Sequence, residues 1–149
     1  MCVDWKDPRN VGSVFRLADA AGVSKLLLAG TTPTPPQPGI RKTARSTERS
    51  VPYEVVKDPV AYLARSRQSG ALILALEITD QSTSLFDLDL PEPDREIVLL
   101  AGSESTGIAG ELLALCDAAV HLPMYGQNTS MNVTVALGAA VYLILMKVQ

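Results

Sequence analysis

The stretch Pro123-Met-Tyr-Gly-Gln-Asn-Thr-Ser-Met-Asn132, followed by Val133-Thr-Val-Ala-Leu-Gly-Ala-Ala-Val-Tyr-Leu-Ile-Leu-Met146, decides how this chain is read. Its first half is a polar, turn-rich loop. Its second half is almost uncharged and rich in Ala, Leu and Met, good helix formers, although Val133, Val135, Val141 and Ile144 favour strands. Read as a helix, it places Val135, Ala136, Leu137, Ala139, Ala140, Val141 and Leu143 all the way round. Such a helix needs cover on every side, within its own domain and against a second copy. The rest of the chain is what packs on this helix and completes its loop.

The 149 residues, nearly half apolar and a fifth charged, suit one compact domain with its own core. Cys2 and Cys116 lack metal-ligand spacing and read as structural thiols in a reducing compartment. The first residues lack the apolar core of a secretion signal. The charge-free run of the last helix falls short of the ~20 residues that span a bilayer. The expectation is a cytoplasmic protein that stays out of the membrane. A net charge of −3 argues against indiscriminate nucleic-acid binding, but the distribution is uneven. Arg41, Lys42, Arg45 and Arg49 face a single acid, Glu48, whereas the span from Glu77 to Asp117 carries ten acids and one base, Arg95. One region is built to attract phosphate while much of the remainder repels it.

Taken in order, Met1 to Trp5 reads as the tail of a strand and Lys6 to Asn10 as a turn. Val11 to Ala21 has helical spacing, with Asn10 as N-cap and Gly22 as stop. Lys25 to Ala29 is a strand. Gly30 to Gly39, with four prolines and three threonines, reads as a surface loop. Tyr53 to Val56 is a strand, and Asp58 caps a helix to Gln68 with Pro59 at its first position. Ala71 to Leu76 and Glu96 to Ala101 are buried strands, and Thr79 to Asp94 between them is irregular. A short helix over Ala109–Leu115 and a strand over Ala118–Leu122 complete the chain. Apolar strands alternating with helices indicate an α/β domain with a mostly parallel sheet flanked by helices.

Three polar clusters fall near strand-to-helix junctions, where parallel sheets present ligands. In the first, Asn10 to Arg16, the arginine is either an exposed side chain with a snorkelling stem or a guanidinium held for phosphate. In the second, Ala101 to Gly107, the glycine turn is either a tight connection with Glu104 near a helix start or a place where a ligand meets backbone N–H groups. It is not a Walker loop, and no lysine follows. In the third, Ser130 and Asn132 flank Met131; either side chain can cap the last helix. The one histidine, His121, has no partner fixed by spacing, which argues against Ser-His-Asp chemistry and against zinc.

Together these clusters resemble the three motifs of the SpoU (TrmH-like) branch of the SPOUT RNA 2′-O-methyltransferases. Asn10-x-Gly12-x-x-x-Arg16-x-Ala18 is similar to the first motif. Leu100-Ala-Gly102-x-Glu104-x-x-Gly107-Ile108 is similar to the second, and Pro123-Met124-x-Gly126-x-x-x-Ser130-Met131-Asn132-Val133 to the third. Met131 stands where leucine is commoner. The resemblance covers nearly the whole chain and implies S-adenosylmethionine (AdoMet) as methyl donor. It also implies a C-terminal trefoil knot and a homodimer through the last helix, whereas the chain itself is expected to be a single domain with no appended RNA-binding domain and no metal. It implies cofactor contacts, largely through backbone, at Leu76, Gly102, Leu122, Ser130 and Met131, and a catalytic set of Asn10, Arg16, Glu104, Ser130 and Asn132. Arg41, Lys42, Arg45 and Arg49 would add RNA contacts, with transfer RNA favoured over ribosomal RNA. The competing expectations are a non-catalytic RNA-binding scaffold on the same fold and a nucleotide-binding α/β protein; the second is disfavoured by the missing lysine.

Overall fold

The computed structural model describes residues 1–90 and 94–149. Among these residues seven strands form one sheet: β1 (Cys2–Val3), β2 (Leu26–Ala29), β3 (Tyr53–Val56), β4 (Leu72–Leu76), β5 (Thr83–Ser84), β6 (Ile97–Ala101) and β7 (Ala118–His121). They lie in the order β3-β2-β1-β6-β4-β7-β5, and every pairing between these strands is parallel. Among the described residues five α-helices cover the sheet: α1 (Pro8–Ala21), α2 (Pro38–Ala44), α3 (Pro59–Gln68), α4 (Gly110–Leu113) and α5 (Val133–Val148).

Side chains alternate across the strands, which accounts for the two faces. Leu26 and Leu28 join Trp5, Val14, Phe15, Ile40 and Leu137 in a core beneath α1, α2 and the start of α5. Leu27, Ala29, Val56, Ile73, Ala75 and Leu100 meet Leu63 of α3 and Leu112 of α4 on the opposite face. Leu72, Leu74, Val120 and Leu122 carry the rest of α5 through Ala140 and Ile144. Burying each large apolar side chain is worth roughly 1.5–3 kcal/mol. This explains why strands β2, β4 and β6, apolar at consecutive positions, sit inside a sheet covered on both faces.

Several boundaries differ from those expected. α1 starts at Pro8, so Asn10 is not its cap. Asp7 is the cap: its side chain accepts from the Arg9 N–H, and proline at the first position needs no amide partner. The Arg9 side chain donates back to Asp7 and holds that carboxyl below its usual range. Gly22 ends α1 in the left-handed conformation, φ 65°, as expected. The proline-rich loop yields its last two residues to α2. The irregular segment from Thr79 holds the two-residue β5, which pairs with β7 at the sheet edge; residues 91–93 of that segment lie outside the described residues. Asp58 caps α3, its carboxylate accepting from the Ala61 N–H at 2.9 Å. Among the described residues no helix is long and apolar enough to cross a membrane.

Candidate active site

The C-terminal ends of β4, β6 and β7 open onto a cavity of about 510 Å³, within the range of ~300–1,000 Å³ usual for small-molecule sites. Its walls are the loop after β4 (Leu76 to Ile78), the glycine turn after β6 (Gly102 to Glu104, with Gly107), the end of β7 (His121, Leu122) and the loop into α5 (Met124, Ser130 to Val133). Leu76, Gly102, Leu122, Ser130 and Met131, expected as one set, all line it.

Backbone geometry makes the glycine turn. The Gly107 N–H donates to the Ser103 carbonyl at 2.9 Å, and Gly107 sits at φ 63°, a region that favours glycine. A Cβ on Gly102 would lie 2.3 Å from the Gly107 carbonyl, so the turn closes only with a bare backbone there. Glu77 fastens the turn to β4. Its Oε2 accepts from the Ile108 N–H and its Oε1 from the Ile78 N–H, each at 3.1 Å.

The polar motif residues meet at Glu104. Its Oε1 accepts from Asn10 Nδ2 at 3.4 Å and from Asn132 Nδ2 at 3.3 Å. Asn132 also caps α5, with Oδ1 accepting from the Thr134 and Val135 N–H groups at 2.9 and 3.3 Å. Asn132, not Ser130, is therefore the cap, and its amide does two jobs. Ser130 stays exposed on the cavity rim.

Arg16 is exposed and is not among the cavity's lining residues. On a helix, six residues beyond Asn10 place it ~9 Å further along the axis and ~120° round. Within one chain it points away from the group that Glu104 gathers. Arg41, Lys42, Arg45 and Arg49 are all exposed, on α2 and the turn after it. Their position is fixed by Gly12: a Cβ there would lie 2.0 Å from Thr43 Oγ1 and 2.3 Å from the Ile40 carbonyl. The first motif's glycine is what lets α1 and α2 touch. Among the described residues, no group of three or more His, Cys, Asp or Glu is arranged to hold a metal ion.

Sequence reasoning passed over Glu77 and His121 as cavity residues. Each is one position from a residue that it named, at the end of a parallel strand, and that location was the available signal. His121 also has a partner that spacing did not show: its Nδ1 lies 2.9 Å from Ser82 Oγ.

Residues 1–142 match the model of the SpoU rRNA Methylase family. The chain is 31% identical over 139 residues to the 23S rRNA (guanosine-2'-O-)-methyltransferase RlmB of Pseudomonas aeruginosa, covering 93% of this chain and 54% of that protein. It is 33% identical over 141 residues to the tRNA (guanosine(18)-2'-O)-methyltransferase of Escherichia coli, covering 91% and 57%. The chain thus spans about half the length of the curated relatives it matches. Its fold is similar to that of the SpoU methyltransferase AviRb from Streptomyces viridochromogenes, solved with AdoMet, with a TM-score of 0.85 and 26% identity over 98% of this chain and 58% of that one.

Proposed function

The chain belongs to the SpoU rRNA Methylase family, and from that premise we propose that it transfers a methyl group from AdoMet to a ribose 2′-hydroxyl of RNA. The observation that carries this reading is the Glu104 carboxylate, which gathers the amides of Asn10 and Asn132, from opposite ends of the chain, beside an open cavity. The cavity fits the cofactor in size, and its glycine turn brings bare backbone to the wall. Leu76, Gly102, Leu122, Ser130 and Met131 would hold it.

When bound, AdoMet supplies an electrophilic methyl on a sulfonium that is its own leaving group, so the protein needs only to orient the acceptor and assist loss of its proton. Asn132, held by Glu104, orients the ribose. Arg16 grips the adjoining phosphate and polarises the 2′-hydroxyl, whose proton passes to water; a planar guanidinium with its fork of N–H donors is a better clamp than base. Arg41, Lys42, Arg45 and Arg49 extend the phosphate track and make binding salt-dependent. Transfer RNA is the favoured substrate and the cytoplasm the compartment.

The active form is a homodimer. Supporting this, Val135 and Met146 of α5 are 61% and 75% exposed in the single chain. Val135, Ala139, Tyr142 and Met146 recur at helical spacing as one uncovered apolar stripe. α5 lies against α1, so a partner docked on that stripe is beside the exposed Arg16. A second copy then delivers Arg16 to the cavity that a single chain leaves without it. The threaded C-terminus implied by the resemblance is part of the same reading, supported by the cavity walls coming from loops after β4, β6 and β7.

Titration calorimetry with AdoMet, followed by methyl-transfer assays on transfer and ribosomal RNA, tests the reading. Arg16→Ala is expected to abolish transfer and leave AdoMet affinity unchanged. AdoMet binding without transfer to any RNA would favour the scaffold alternative.

A further inference from the structure

We propose that His121 is a specificity residue for the nucleoside half of the cofactor, its Nε2 accepting a hydrogen bond from the adenine 6-amino group. The inference rests on the cofactor reading above and adds a residue that the family's motifs do not include.

It starts from a proton count at Ser82. Ser82 Oγ lies 2.8 Å from the Thr79 carbonyl oxygen and 2.9 Å from His121 Nδ1, and it accepts from the Thr79 N–H at 3.0 Å. The hydroxyl has one proton to give. Two oxygens 2.8 Å apart need that proton between them; otherwise lone pair faces lone pair. Ser82 therefore donates to Thr79, and the contact with the imidazole must be a donation from Nδ1–H. This network assigns the tautomer: Nδ1 carries the hydrogen and Nε2 is a bare acceptor. His121 lines the cavity, and its Nε2 has no hydrogen-bond partner among the described residues.

The Glu77 carboxylate lines the same cavity on its β6 side, against the Gly107–Ile108 turn. Each oxygen of Glu77 already accepts one backbone N–H, and a carboxylate keeps further lone pairs. The β7 end of the cavity thus offers the bare Nε2 of His121, and it selects a ligand group that donates. That end lies across the sheet from the reacting groups: Glu104 follows β6, with β4 between it and β7. Two strand spacings are ~10 Å. The amino-acid arm of AdoMet is too short to bridge that span from the sulfonium, whereas the far edge of the base reaches it.

The test is calorimetry on the full chain with S-adenosylhomocysteine and with its inosine analogue, whose 6-amino group is replaced by a carbonyl. Two variants separate recognition from packing. His121→Gln places an amide oxygen near the Nε2 position. His121→Asn keeps a donor for Ser82 but has no acceptor at that distance. The expected result is an approximately tenfold loss of S-adenosylhomocysteine affinity for His121→Asn, the upper worth of one hydrogen bond, with His121→Gln within about twofold of the parent. The inosine analogue should bind the parent about tenfold more weakly and show no further loss in His121→Asn. Equal losses on both ligands, equal affinities in all three proteins, or a His121→Gln as weak as His121→Asn would overturn the assignment to His121 alone. Failure of the parent to bind S-adenosylhomocysteine would overturn the cofactor reading, and this inference with it.

Discussion

At Asn132 one amide meets two demands with its two ends. The oxygen caps α5, and the nitrogen reaches Glu104. The two roles separate by substitution. Asn132→Asp keeps a capping oxygen, and a negative charge at a helix N-terminus is favourable, but it sets a carboxylate against Glu104. The expected outcome is a melting temperature close to the parent's with methyl transfer reduced at least tenfold. Asn132→Ala loses both roles and should also cost about 1 kcal/mol of stability, the usual worth of a cap. Cys2 gives a pH prediction. Burial pushes its thiol from the ordinary 9.0 to about 11. The unfolded chain releases that proton near 9, while the folded chain holds it until about 11. The native state therefore binds more protons in that window, and stability falls as pH rises through it. Denaturant titrations from pH 8 to 11 should show a decline that Cys2→Ala makes shallower.

The contact of α1 with α2 shows how one atom sets the position of an element. Gly12→Ala would push a methyl into the Ile40 carbonyl, which is backbone and cannot rotate away. Overpacking of this kind costs roughly 1–3 kcal/mol. The loss should appear in urea unfolding, together with weaker RNA binding, because α2 carries Arg41 and Lys42. α2 also marks where local reading of the sequence stops. β2, β4 and β6 were legible because apolar runs in a doubly covered sheet have no other use. α3 was legible because Asp58 and Pro59 form a cap and a first turn. The same pair, Asp7 and Pro8, starts α1, but the Asn10 that follows was an equally good capping residue on local grounds. α2 begins with proline and glycine, and it exists because Ile40 and Ala44 are fully buried, not because its residues favour a helix. β5 is too short for any periodicity. In the site, the motifs named the residues, but only the fold shows Glu104 reaching Asn10 and Asn132 across 94 and 28 positions. His121 stayed unexplained because its partner, Ser82, sits in a segment with no pattern of its own.

On the scale of the whole molecule, one chain brings together Asn10, Glu104 and Asn132 and leaves Arg16 outside. If a second copy supplies Arg16 across the α5 stripe, the catalytic set belongs to the dimer and not to the chain. Mixing two inactive variants tests this directly. Arg16→Ala has an intact Glu104 and lacks the guanidinium; Glu104→Ala has the reverse. In a dimer of one of each, one of the two sites draws Glu104 from the first chain and Arg16 from the second, and both are intact. The other site carries both defects. Random exchange of equal amounts makes half of the dimers mixed, so activity should return to about a quarter of the parent rate. If both residues act within one chain, every site stays defective and mixing restores nothing. The control is a chain that cannot pair. Tyr142→Lys with Met146→Glu puts charges on the exposed stripe, where a single chain loses little packing. Sedimentation should then report a monomer, and each mixture containing it should stay inactive.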